Sequence, residues 1–91
     1  MKTILMNVSG RVQGVGFRFF TKQLADLLKI QGTVRNKYDG SVEVVAQSVE
    51  EEKLARFIER VKESPAPYGK VTDFKLEEIE REPYIGFEIT N

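Results

Sequence analysis

The segment of this chain with the most chemical promise is Gly10-Arg11-Val12-Gln13-Gly14-Val15-Gly16-Phe17-Arg18. Three glycines in seven residues read as a loop, and Phe17 opens a three- and four-residue apolar repeat that reads as a helix. The loop therefore delivers its backbone to a helix N-terminus, where amide hydrogens lack partners and partial positive charge gathers. Ser, Thr, Asp or Asn usually caps such an end; Gly16 stands here without a side chain to do so. Gly14 and Gly16 let the backbone curl until several amides converge, which makes an anion-binding nest. Arg18 falls in the first helical turn, where a cation opposes the helix dipole and costs about 0.3–1 kcal/mol. A bound anion would reverse that penalty, and a guanidinium grips phosphate through two parallel hydrogen bonds. On spacing alone, a glycine-rich turn followed by a solvated arginine accounts for the same residues. The loop lacks the Gly-Lys-Ser/Thr ending of a P-loop and the glycine spacing of a dinucleotide fold.

Composition narrows the chemistry further. The chain has neither cysteine nor histidine, so any catalysis must proceed without thiol or imidazole, and no disulfide framework or thiolate metal site can form. A cysteine-free chain suits a reducing cytoplasm. Fourteen basic residues balance fourteen acidic ones, which disfavours polyanionic partners such as nucleic acid but leaves room for a local site for one small anion. With 41% hydrophobic and 31% charged residues the composition is globular. No apolar run approaches the ~20 residues that span a bilayer. Met1 to Ile4 leads straight into a strand-like pattern, so no signal peptide is expected. Ninety-one residues fit a single domain, 1–91.

The elements that must position the loop follow from periodicity. Lys2 to Ser9 alternates, with Ile4, Met6 and Val8 on one side, and predicts a strand. After the loop from Gly10 to Gly16, Phe17, Phe20, Leu24, Leu27 and Leu28 form the stripe of an amphipathic helix; Lys29 suits its C-terminal end and Gly32 its stop. Thr33–Lys37 and Ser41–Gln47 predict a hairpin turning at Tyr38-Asp39-Gly40. Ser48 and Glu51 resemble a capping box ahead of a second helix, with Glu50, Glu51 and Glu52 at its start and Leu54, Phe57, Ile58 and Val61 as its stripe. Ser64-Pro65 ends that helix, and Ala66 to Gly69 is a turn-rich connector. Val71–Ile79 and Ile85–Ile89 predict two further strands around Arg81-Glu82-Pro83. The expected fold is an α+β, ferredoxin-like split β-α-β sandwich. Its order is βαββαβ plus a short C-terminal strand, with an antiparallel-rich sheet and two helices on one face. Phe17, Phe20, Phe57 and Phe74 are expected in the core, and Arg35, Lys22 and Lys29 as solvated surface charges.

Gly10 to Arg18 closely resembles the first signature of the acylphosphatase family. Gly32-Thr33-Val34-Arg35-Asn36-Lys37-Tyr38-Asp39-Gly40-Ser41-Val42 resembles the second, at the family's separation. The likeness covers nearly the whole chain. It implies hydrolysis of acyl phosphates, with the phosphoryl group held by Arg18 and by the amides of the loop, among them Gln13, Gly14, Val15, Gly16 and Phe17. Asn36 would position the attacking water. Without the resemblance Asn36 would read as a residue beside a turn. A related domain occurs in larger carbamoyl-transfer proteins, as the resemblance also implies, but a free-standing chain is the expectation here. Two residues depart from the family pattern: Thr33 stands in place of an aromatic, and Ser48 in place of a closing glycine.

The implied chemistry is coherent without a cofactor or metal. A carboxylate is a good leaving group, so the reaction rests on positioning and on neutralising charge at the equatorial oxygens. An amide at Asn36 can orient water but cannot take its proton as a carboxylate would; the proton acceptor stays open, the substrate phosphate being one candidate. The expected partners are a small acyl phosphate and inorganic phosphate, with no nucleic acid, no membrane and a monomeric state. A catalytically inactive phosphate- or ligand-binding module on the same fold is the first alternative. An RNA-binding domain is the second, and would need aromatics on the open sheet face.

Overall fold

The computed structural model describes residues 1–90. Its elements run β1 (Lys2–Arg11), α1 (Phe17–Leu28), β2 (Gln31–Asn36), β3 (Val42–Ser48), α2 (Glu51–Glu63), β4 (Lys70–Ile79) and β5 (Phe87–Thr90). The strands form one sheet in the order β4-β1-β3-β2-β5. β1 pairs antiparallel with β3 and β4, and β2 antiparallel with β3, whereas β5 adds to β2 in parallel. With β3 inserted between β1 and β2, this is the split β-α-β arrangement expected, extended by one parallel edge strand.

Alternation decides which face is buried. Ile4, Met6 and Val8 from β1, Val34 from β2, and Val42, Val44 and Ala46 from β3 share one core with Phe17 and Ala25 of α1 and Leu54, Phe57 and Val61 of α2. Both helices therefore lie on the same side of the sheet. Phe57 is fully buried, a placement that stabilises by about 1.5–3 kcal/mol over an exposed side chain. Phe20 and Phe74 are half-buried against the same cluster, and the Lys62 ammonium lies 5.6 Å from the Phe74 ring centre. The opposite face carries rows such as Arg35–Glu43–Asn7–Lys75 and Thr33–Val45–Leu5–Glu77. These rows hold polar, charged and aliphatic side chains, with none of the aromatics that the RNA-binding alternative would need there.

Several boundaries differ from expectation for identifiable reasons. β1 continues to Arg11, through a register shift at Ser9/Gly10, because Gly10 and Arg11 still pair with Val71 and Lys70. Leu27 is 78% exposed; at ~100° per residue it sits to one side of the line through Phe17, Thr21, Leu24 and Leu28. α1 ends at Leu28 with Lys29 in the left-handed conformation, its amide bonding back to Ala25 and Asp26. Gly32 does not stop the helix. It lies inside β2 at φ 145°, where a Cβ would run into the Val45 carbonyl. The capping box is also absent: Glu50 is the N-cap of α2 and makes no side-chain capping bond. Ser48 is held in the sheet opposite Lys2, so its Oγ accepts the Glu50 amide at 2.9 Å instead. β5 begins at Phe87, after Gly86 at positive φ, and Ile85 is exposed.

β4 and β5 occupy opposite edges, so the connection between them must traverse the width of the sheet. Gln47 pins that crossing. Fully buried, it donates from Nε2 to the Glu82 carbonyl at 3.0 Å and accepts the Tyr84 amide on Oε1 at 2.9 Å. A buried side-chain amide satisfied on both ends works here as a short piece of ladder. The crossing delivers β5 to the side of α1, where Phe87 packs edge-on against Phe57 at 5.9 Å between ring centres.

Candidate active site

The loop between β1 and α1 has the conformation that its glycines permit. Gly14 and Gly16 both have φ 80°, on either side of Val15. Gly16 is the N-cap of α1 in the left-handed region, with no side-chain capping bond and no acidic residue in the first turn. The first amide of this segment to find a backbone acceptor is that of Phe20, bonded to the Gly16 carbonyl at 3.0 Å. Among the described residues, the amides from Gln13 to Phe19 thus stand without protein acceptors. A helix end left in that state favours an anion.

Arg18 and Asn36 come together at this end. A cavity of about 230 Å³ is lined by Val12, Gly14, Gly16, Phe17, Arg18, Phe19, Asn36 and Ile89. Asn36 is the last residue of β2 and pairs with Val42, so alternation with Val34 turns its side chain to the helix face. Its Oδ1 is buried without a hydrogen-bond partner among the described residues. An unpaired buried acceptor costs about 1–3 kcal/mol, and of the two such oxygens, this one and Thr21 Oγ1, only this one belongs to a residue in the cavity wall. Arg18 is half-buried, and its Nη1 donates to the Thr90 carbonyl at 3.4 Å. One long bond leaves most of the guanidinium's five donors available.

The remaining expected residues divide. Gly14, Gly16 and Phe17 line the cavity with Arg18 and Asn36, although the Phe17 ring itself is buried in the core. Val15 is half-buried and packs against the core, so only its backbone is offered to the loop. The Gln13 side chain turns away to the β2–β3 hairpin, where Nε2 donates to the carbonyls of Lys37 and Ser41, each at 2.9 Å. It lines a neighbouring hollow of about 360 Å³ with Arg35, Asn36, Lys37 and Tyr38.

Two charges expected to be solvated are engaged. Arg35 donates to both carboxylate oxygens of Glu43, at 3.0 and 3.2 Å, and that bond raises its pKa. Lys22 donates to Asp26 and to the Phe87 carbonyl, both at 2.9 Å, and so ties α1 to β5. In the hairpin, Asp39 accepts the Ser41 hydroxyl at 2.6 Å and the Ser41 amide at 2.9 Å. Those bonds hold its carboxyl below the ordinary range. Phe19 and Ile89 also line the cavity, and sequence reasoning did not single them out. Neither breaks a pattern, and Ile89 reaches the site only because β5 crosses to α1.

Residues 4–89 match the acylphosphatase family. The chain belongs to it. An acylphosphatase of Lactiplantibacillus plantarum is 43% identical over 91 residues, covering 100% of both chains. Another, from Enterococcus faecalis, is 49% identical over 78 residues, or 86% of this chain and 85% of that one. In three dimensions the fold is similar to the crystal structure of acylphosphatase from Bacillus subtilis, with a TM-score of 0.93, 41% identity and full coverage of both chains. Neither of the two departures noted above lines the cavity. Thr33 lies on the open sheet face between Val45 and Glu88, and Ser48 bonds the amide that precedes α2.

Proposed function

We propose that this acylphosphatase-family enzyme hydrolyses acyl phosphates to a carboxylate and inorganic phosphate, with Arg18 holding the phosphoryl group and Asn36 the attacking water. The observation that carries the reading is the meeting of Arg18, Asn36 and an uncapped, glycine-shaped helix end in the wall of one cavity. The phosphoryl oxygens take the amides of the loop from Gln13 through Arg18. The guanidinium forks onto two of those oxygens.

Water oriented by the Asn36 amide attacks phosphorus in line with the acyl oxygen. The bond from phosphorus to that oxygen breaks, and its electron pair leaves with the carboxylate. The proton of the attacking water passes to a phosphoryl oxygen, since no side chain of the cavity is a base at neutral pH. Fixed donors aimed at the equatorial oxygens provide the main stabilisation as charge spreads over them.

The balanced charge supports an enzyme that works without nucleic acid, and the absence of cysteine is compatible with a reducing cytoplasm. Among the described residues, no helix is long and apolar enough to cross a membrane, and no group of three or more Asp or Glu side chains could hold a metal ion. The test is phosphate release from acetyl phosphate compared with a sugar phosphate. Rapid release from the first and almost none from the second is expected, because nothing in the cavity can protonate an alkoxide leaving group. Equal rates would contradict the mechanism, and release from neither would make the chain a binding module.

A further inference from the structure

The cavity has a second chemical character that phosphate does not use. Beside the loop amides, Arg18 and Asn36 stand Phe19, 58% exposed, and Ile89, 40% exposed. Phe19 has one aromatic neighbour, Phe20, edge-on at 5.2 Å between ring centres, and neither Phe19 nor Ile89 belongs to the core. Unlike the exposed apolar residues scattered singly elsewhere on the chain, these two share the wall of one cavity, where an apolar part of a ligand can cover both. They come from different elements, α1 and β5, and meet only because the crossing pinned by Gln47 carries β5 to this side.

The volume suits more than a phosphoryl group. At ~30 Å³ per water-sized unit, about 230 Å³ leaves room for several further heavy atoms once the phosphoryl oxygens have filled the polar end. The alternative exit is the neighbouring hollow beside Lys37 and Arg35, which would favour an acyl group carrying its own negative charge. Of the two cations, Arg35 is neutralised by its carboxylate partner, so the hollow offers an anionic acyl group only the Lys37 ammonium. Arg35 is forked onto Glu43, and Lys37 donates to Asn7 Oδ1 at 3.2 Å.

We propose that Phe19 and Ile89 form the acyl-group rim of the site and select acyl phosphates whose acyl part is apolar, aromatic ones above all, over small or anionic ones. The inference rests on the functional reading above and adds the specificity to it. An aromatic acyl group lies against the Phe19 ring and the Ile89 side chain while its phosphate sits in the loop. Aromatic pairs and apolar burial then contribute to binding at a distance from the reacting bond.

Steady-state hydrolysis of benzoyl, acetyl and succinyl phosphate by the full chain and by Phe19→Ala, Ile89→Ala and Phe19→Lys tests this. The ratio of kcat/KM for benzoyl over acetyl phosphate should fall about three- to tenfold in Phe19→Ala, mainly through KM, and by a smaller factor in Ile89→Ala. Phe19→Lys should go further and raise succinyl phosphate relative to benzoyl phosphate. Because every readout is a ratio within one variant, a partial loss of folded protein cancels. Ratios that stay constant across all four proteins would overturn the rim while leaving acyl phosphate hydrolysis intact. Failure of the unmodified chain to hydrolyse any of the three would overturn the functional reading and the rim with it.

Discussion

Gln13 grips Lys37: its side-chain Nε2 donates to the Lys37 carbonyl at 2.9 Å and also to the Ser41 carbonyl at 2.9 Å across the neck of the hairpin. The same neck is closed by the Lys37 amide on the Ser41 carbonyl, at 2.8 Å. Lys37 directly follows Asn36, so one side chain of the glycine loop fixes the backbone that carries the amide proposed to position water. Gln13 is expected to bind substrate through its backbone amide; its side chain meanwhile braces the loop against the hairpin.

Gln13→Ala should therefore lower kcat about tenfold while leaving phosphate affinity nearly unchanged, since misplacement of a positioned group penalises the chemical step. Loss of two side-chain bonds should also reduce stability by about 1–2 kcal/mol. Thermal unfolding and steady-state rates check both. A lower melting temperature with unaltered kcat would reduce Gln13 to a structural tie.

The rate should be nearly flat between about pH 6 and 8, because arginine and asparagine do not titrate there. Asp39 does not disturb this. Its carboxyl is held low first by the Ser41 hydroxyl and then by the Ser41 amide, so its contribution to stability is complete above the unfolded value of about 4. That contribution is lost as pH falls through the folded value. The Arg35 shift is upward: its contribution is complete below the unfolded value and lost only as pH rises through the folded one. A pH–rate profile corrected for substrate ionisation is the measurement, and a protein-linked inflection near neutrality would demand a general base that the cavity does not hold.

Activity should survive chelators and thiol-blocking reagents. The chain has no cysteine or histidine, and among the described residues no acidic cluster could hold a hard cation. Loss of turnover in EDTA, restored by a divalent ion, would contradict the mechanism.

Much of this was legible in the sequence because the relevant signals are local. Alternation in Lys2–Ser9 placed Ile4, Met6 and Val8 in the core, and the missing cap at Gly16 pointed to open amides that the structure contains. Arg18 and Asn36 were legible to different degrees: position in the first helical turn singled out Arg18 but left a solvated arginine equally open until the family resemblance decided, whereas Asn36 rested on the resemblance alone. What sequence reading missed depends on contacts between distant residues. Leu27 satisfies helical spacing yet faces outward, because the helix axis relative to the sheet selects which edge of a broad stripe is buried. Gly32 looked like a helix stop, but its reason is the Val45 carbonyl 13 positions away. The Gln47 clamp, and through it the contribution of Ile89 to the site, joins segments that no periodicity relates.

The central claim is the division of labour between Arg18 and Asn36. Calorimetric binding of inorganic phosphate, measured beside single-turnover hydrolysis of acetyl phosphate for Arg18→Ala and Asn36→Ala, tests it most directly. Arg18→Ala should weaken phosphate binding and lower turnover by at least about 10³-fold, because it removes the one charge in the cradle. Asn36→Ala should keep phosphate affinity and lose about 10²-fold in rate, because water placement matters only to the chemical step. Both should stay folded, since Arg18 lies at an open helix end and Asn36 at the end of a strand. Equal loss of phosphate binding in the two variants would contradict the water-positioning role, and an Arg18→Ala variant that binds phosphate and turns over normally would overturn the site.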